Sequence, residues 1–236
     1  INILKKEKSK YENINILKRK RVSMKIDLII KEELIKAINY KNPILYIPGL
    51  LSFPKDEKYT LLKGKFKHVI CAIYPAKPER AYETVEKYIQ QLINSGRKPI
   101  LFGFSFGGKL ALLFAKKYKL PVISINPDIF YLANSKSLIG KKIYDFTTKS
   151  KYQVVPEDLT FSAEKCVTKL INNGYIDNSF CIFNLNDELV DIKRVRKEVQ
   201  INLTSFVSFR SGKHNCNNFR EKFEDVINGF YTILKI

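Results

Sequence analysis

"KPILFGFSFGGKLALLFAKKYKLPVISINP", residues 98–127, sets an apolar run, a serine between glycines and a helix-period segment in direct succession. "PILFGF" (99–104) reads as a buried strand, Gly107 to Tyr118 as a helix, and "PVISINP" (121–127) as the next strand. A strand, a tight turn and a helix in that order present the turn residue at the carboxyl end of a sheet. Gly103 and Gly107 leave room for neighbouring backbone, and the strained turn lifts Ser105 clear of the sheet. The helix behind it contributes N–H groups and a positive dipole end where an oxyanion can develop.

The same alternation continues on both sides. "PILYIPG" (43–49) and "HVICAIYP" (68–75) read as strands, and "ERAYETVEKYIQQLINSG" (79–96) as a helix with Ala81, Val85, Tyr88, Ile89 and Leu92 on one face and Gly96 at its end. Downstream come "FCIFNL" (180–185), a helix near 191–200, "TSFVSF" (204–209) and a closing helix at about 217–234. Continuous apolar strands separated by helices predict a mostly parallel sheet of about six strands covered on both faces, an α/β fold. Ligands bind such sheets at the carboxyl ends of the strands.

A serine hydroxyl needs a base within hydrogen-bond reach, and the base needs a third group to orient it. The chain has two histidines. His68 opens a strand at its amino end and is read as structural or surface. His214 lies in "SGKHNCNNF", after the last strand, and is the candidate base. "NLNDELVDIK", after strand 180–185, offers Asp187, Glu188 and Asp191. Asp187 is preferred as the acid because it comes first past the strand end, whereas Asp191 falls at the start of the following helix and caps it. Ser105, Asp187 and His214 follow in the order expected of an α/β-hydrolase. "YIPGLLS" (46–52) supplies a second oxyanion loop, with the N–H of Leu50 beside that of Phe106.

The chain also resembles the α/β-hydrolase superfamily and, within it, the small bacterial YqiA-type esterases. The matching stretches are "LYIPGLLSFPKDEK", "GFSFGGKLALLFAKKYKLPVISINP", "LIG", "YQVVPEDL", "NDELVD" and "GKHNCNNFREKFEDVINGFYTIL", in the same order over roughly residues 44 to 234. The resemblance implies nucleophile, acid and base at Ser105, Asp187 and His214. There are two departures from the family pattern. The oxyanion loop usually reads His-Gly, and here it is Pro48-Gly49. The histidine usually precedes a small residue and an aromatic, and here Asn215 and Cys216 intervene before Phe219.

Length and composition bound the rest. A chain of 236 residues with 45% hydrophobic content buries one good-sized core. The expected organisation is a basic extension at residues 1–25 followed by a single α/β-hydrolase domain at 26–236, with a cap insertion at about 128–178. In the extension "INILK" occurs twice, and nine basic residues against Glu7 and Glu12 leave it at +7. Either Met24 is the natural start, or the extension is a basic amphipathic helix for a membrane surface or partner. No apolar stretch has transmembrane length and no secretory signal is read at the start. Cys71, Cys166, Cys181 and Cys216 lack CxxC or metal-ligand spacing, so reduced thiols, a cytoplasmic setting and no metal or cofactor are expected.

The net charge of +19 comes from 34 lysines and 8 arginines against 23 acidic residues. The lysines spread over the whole chain together with isoleucine and asparagine, as a compositional bias would place them. No nucleic-acid-binding signature accompanies the charge, and no nucleic acid is expected as partner. Within the cap, Phe130, Tyr131, Leu132, Leu138 and Ile139 either line an acyl pocket or pack the cap itself. Lys136, Lys141, Lys142, Lys149 and Lys151 around them favour an ester or thioester with an anionic alcohol or thiol part, such as acyl-CoA or an acidic acyl-carrier protein. The expectation is a serine hydrolase of short to medium acyl esters or thioesters. The alternative is a non-catalytic hydrolase-fold scaffold with a basic face for an acidic partner.

Overall fold

The computed structural model describes residues 42–50, 52–129, 135–161, 176–199 and 203–234. The basic extension and the candidate pocket residues Phe130, Tyr131 and Leu132 lie outside them. Strands β1 (Ile44–Ile47), β2 (Val69–Cys71), β3 (Ile100–Phe104), β4 (Val122–Ile125), β7 (Ile176–Asn184) and β8 (Leu203–Phe209) form one sheet in the order β2-β1-β3-β4-β7-β8. All five neighbouring pairs are parallel. The connections carry α1 (Glu57–Lys65), α2 (Pro78–Asn94), α3 (Phe106–Tyr118) and α4 (Ile192–Val199), and α5 (Phe223–Leu234) closes the chain. Among the described residues no helix is long and apolar enough to cross a membrane.

Apart from the edge strand β8, the strands are buried on both sides, with the side chains dividing by the two-residue period of a strand. Leu45, Ile47, Leu101, Cys181 and Phe183 face one core, shared with α2, α3 and α4. Ile44, Tyr46, Phe102, Phe104, Phe180 and Ile182 face the other, closed by α1 and α5. A parallel sheet covered in this way needs unbroken apolar strands, which is why they stood out in the sequence. The helix-period residues of α2 that shared a face (Ala81, Val85, Tyr88, Ile89 and Leu92) are all buried.

Two features went unread in the sequence. Helix α1 buries only Tyr59, Leu62 and, unexpectedly, Lys58. A two-stranded antiparallel hairpin, β5 (Lys142–Asp145) and β6 (Ser150–Gln153), stands between β4 and β7. Its strands are largely exposed, so they lack the apolar run that marks the central ones.

The strand order reverses between β1 and β3. From β1 the chain runs outward to β2, then returns across β1 to β3 and proceeds the other way. The loops after β1 and β3 therefore part in opposite directions and leave a crevice at the carboxyl edge. Two glycines let α3 pack into it. A Cβ on Gly103 would stand 2.4 Å from the Gly107 carbonyl oxygen, and one on Gly107 would stand 2.1 and 2.2 Å from the oxygens of Ile47 and Pro48. The second contact presses the start of α3 against the loop after β1. Gly107→Ala would drive a methyl into backbone that has nowhere to move, and a loss of about 3 kcal/mol or more is expected. Urea denaturation checks this; an unchanged midpoint would contradict the packing account.

Candidate active site

Ser105 sits between β3 and α3 with φ 55° and ψ −120°, a conformation costly for a residue with a side chain. Its backbone is held on three sides. The N–H donates to Ile125 O at 2.9 Å, and its carbonyl accepts from Lys109 N and Asp128 N, each at 3.1 Å. Neighbouring structure thus over-determines the turn, and the hydroxyl projects from it.

The three residues singled out in the sequence meet. Ser105 Oγ lies 2.8 Å from His214 Nε2, and His214 Nδ1 lies 2.8 Å from Asp187 Oδ2. The Asp187 carboxylate accepts from Nδ1–H, which leaves Nε2 as acceptor for the serine hydroxyl. Asp187 Oδ1 accepts from the N–H groups of Leu189 (2.9 Å) and Val190 (2.8 Å), so both carboxylate oxygens are engaged. The Asp187 side chain is fully buried and that of His214 nearly so. Asp191 instead accepts from Arg194 N at 3.1 Å, a cap on α4. His68 precedes β2 at the opposite end of the sheet, where its carbonyl accepts from Ile44 N.

Several residues that sequence reasoning left aside hold the histidine. Glu188 Oε2 accepts from the His214 backbone N–H at 2.9 Å. Asn126, just past β4 at φ 43°, joins three strand ends. Its N–H donates to Ile182 O, its Oδ1 accepts from Asn184 N at 2.8 Å, and its Nδ2 donates to His214 O at 3.1 Å. The one textual signal was an asparagine before proline at a strand end, a turn pattern without a stated partner. The departure after the histidine is absorbed locally. Cys216 takes φ 54°, and Phe219 reaches the core against Phe102 with ring centroids 6.3 Å apart. Cys71, Cys181 and Cys216 are free thiols, and burial pushes the last two up, away from thiolate character.

A cavity of about 940 Å³ opens over this chain of hydrogen bonds, with Ser105 and His214 in its wall. Leu50 and Phe106, the two oxyanion candidates, line it beside them, and Phe53, Leu138, Leu189 and Val190 make its apolar part. The loop carrying Leu50 turns tightly, with Ser52 N donating to Gly49 O at 3.1 Å. Of the cap lysines, Lys141 lines the cavity. Ile139 stands 41% exposed and is not part of the lining. The charged lining includes the carboxylates Asp56, Glu57, Asp128 and Asp191 as well as the cations Lys58, Lys141 and Arg194. Burial holds the Asp128 carboxyl above its usual range, with the Lys109 ammonium and His214 pulling the other way.

A family model described as an uncharacterised protein family, UPF0227, matches residues 43–231. The chain belongs to the UPF0227 family. This is the YqiA-like group that the sequence motifs resemble. No curated protein matches this UPF0227 chain in sequence. Among solved structures it is similar to mouse alpha/beta hydrolase domain-containing protein 10 (TM-score 0.56, 16% identity, covering 80% of this chain and 90% of that one). It is also similar to a monoacylglycerol lipase from Paleococcus ferrophilus (0.56, 16%, 82% and 96%). A third is Est1E from Butyrivibrio proteoclasticus, solved with ferulic acid bound (0.60, 13%, 80% and 88%). At these identities the likeness is one of fold, and the fold of this UPF0227 chain is that of the α/β-hydrolases.

Proposed function

We propose that this UPF0227 chain is a serine hydrolase that cleaves carboxylic esters or thioesters of short to medium acyl chain through an acyl-enzyme on Ser105. The observation that carries the reading is the Asp187–His214–Ser105 chain, two hydrogen bonds of 2.8 Å drawn from three strand ends beside one cavity. Nothing in a scaffold requires those three side chains to converge. The lipase and esterase names among the structural relatives agree with the reading.

In the proposed reaction His214 Nε2 takes the Ser105 proton as Oγ attacks the carbonyl carbon. The N–H groups of Leu50 and Phe106 stabilise the tetrahedral oxyanion. His214 then protonates the leaving alcohol or thiol as its bond to carbon breaks. Water repeats the sequence on the acyl-enzyme, releasing the acid and restoring the serine. Asp187 holds the tautomer and balances the imidazolium that forms in each half-reaction.

The segment between β4 and β7, with its hairpin, is read as the cap of the cavity, and Leu138 and Val190 as part of the acyl-binding wall. Lys141 is the cap lysine placed to favour an anionic carrier such as acyl-CoA or an acyl-carrier protein. A panel of p-nitrophenyl esters, with acyl-CoA thioesters alongside, tests the reading. Butanoate and hexanoate esters are expected to be cleaved with higher kcat/KM than palmitate. Absence of turnover across the panel would overturn the activity. Equal efficiency on neutral and CoA-linked substrates at low salt would remove the carrier preference.

A further inference from the structure

The wall of the cavity contains an ammonium group that the proposed reaction does not use. Lys58 is the second residue of α1 and is only 7% exposed, yet it lines the cavity that holds Ser105 and His214. Its Nζ stands 4.1 Å from the centre of the Phe104 ring and 6.0 Å from that of Phe219. The His214 imidazole packs on the same Phe104 ring, with centroids 5.4 Å apart. One phenyl ring thus carries both the base and a buried cation.

Lys58 is poorly satisfied for a buried charge. Among the described residues its polar partner is Asp56 Oδ2 at 3.5 Å, well beyond the length of a charge-assisted hydrogen bond. Asp56 is committed elsewhere. Both its oxygens accept from Tyr46 Oη at 2.9 Å, and Oδ1 also accepts from Tyr59 N, the cap of α1. An ammonium has three donors, and taking it out of water is costly unless an anion or several acceptors meet it. The other carboxylates of the wall do not meet that need. Glu57 accepts from Arg220 Nε at 3.1 Å, Asp191 caps α4, and the charged groups that act on Asp128 are Lys109, His214 and Asp187 rather than Lys58.

We propose that Lys58 is a specificity-determining residue that binds a carboxylate on the substrate, so that the cavity takes esters or thioesters carrying a carboxylate close to the scissile carbonyl. This rests on the reading of Ser105 as nucleophile and deepens it by naming a substrate class. Because Lys58 and His214 share one ring, roughly two or three methylenes between carboxylate and carbonyl span the gap. Half-esters of short dicarboxylic acids have that form. The exposed cap lysines are not required for this selectivity.

The test compares matched substrates that differ in charge. On the acyl side monoethyl glutarate is set against ethyl pentanoate; on the leaving-group side 4-carboxyphenyl butanoate is set against its methyl ester. The readout is the ratio of kcat/KM for the anionic over the neutral member, at low salt. In one arm, which also identifies the side carrying the carboxylate, the wild-type ratio is expected to be about 10 or more. Lys58→Met should lower it about 10- to 100-fold, chiefly through KM, as the loss of a hydrogen bond to a charged group does. Lys58→Arg should retain most of it. A wild-type ratio of one or below in both arms overturns the proposal, and this needs no variant to fold. A ratio unchanged in folded Lys58→Met overturns it as well.

Calorimetry on Ser105→Ala separates this from the catalytic reading. Binding of the anionic ester that is lost in the Ser105→Ala, Lys58→Met double variant supports Lys58 even if the wild type turns over neither ester. Turnover of ethyl pentanoate with no preference for charge in either arm supports the catalysis and removes the anion site.

Discussion

Ser105→Ala is expected to lower ester turnover by about 10⁵-fold or more while leaving the fold intact. The size of the effect follows from the role, since without Oγ no acyl-enzyme forms and what remains is the contribution of the oxyanion donors and binding. The fold survives because alanine keeps the Cβ that the φ of 55° already accommodates. The backbone bonds from Ile125, Lys109 and Asp128 do not involve the hydroxyl. The hydrogen bond lost to His214 is worth about 1 kcal/mol net, so the melting temperature should move by only a few degrees. A variant that retained turnover would remove Ser105 from the mechanism.

Asp187→Asn is the more discriminating substitution, with an expected loss of about 10⁴-fold in kcat. Asp187 receives three N–H donors, from His214 Nδ1, Leu189 and Val190. An amide has one accepting oxygen. If that oxygen keeps the two backbone N–H groups, the NH₂ faces His214 and forces its Nδ1 to accept. The proton then resides on Nε2, which cannot take the serine proton. If the amide flips, the histidine keeps its tautomer but the NH₂ confronts two backbone donors in a buried site. The first arrangement abolishes the base and the second strains the loop. Substrate binding depends on neither, so KM should change little. Asp191→Asn, by contrast, alters a cap on α4 and one charge of the cavity wall but leaves the Asp187–His214–Ser105 chain untouched, and should leave kcat within a few-fold. Equal losses at the two positions would contradict the assignment of the acid.

The sheet was legible because its burial on both faces demands continuous apolar strands, and few other structures write that pattern. The turn at Ser105 was legible for a related reason, since Gly103 and Gly107 are needed where α3 meets β3 and the loop after β1. Ser105, Asp187 and His214, which the structure brings into one hydrogen-bonded chain, were picked out from strand ends and from the scarcity of histidine. What stayed hidden had no local pattern to declare it. Helix α1 buries few apolar side chains, and the β5–β6 hairpin lies mostly in solvent. Asn126 acts through partners 58 and 88 residues away, which no spacing rule connects. Lys58 is one of 34 lysines, and no local pattern in the sequence announces its burial against Phe104.

Around the cavity the charge is local and mixed rather than diffuse. Read as composition, +19 suggested a diffuse attraction for anionic carriers. The cavity wall instead mixes four carboxylates with three cations, and one of those cations is buried against the same Phe104 ring on which His214 packs. Under the proposal for Lys58, selectivity for charge depends on that single position within the cavity. Added salt should weaken a surface attraction strongly and a buried contact much less.

Covalent labelling with a fluorophosphonate probe reports whether Ser105 is an activated nucleophile. The wild-type protein is expected to take up one equivalent of probe, located by peptide mass spectrometry on Ser105, with Ser105→Ala unlabelled and Asp187→Asn labelled far more slowly. A folded wild-type protein that stays unlabelled, or that carries the probe on another residue, would contradict the account.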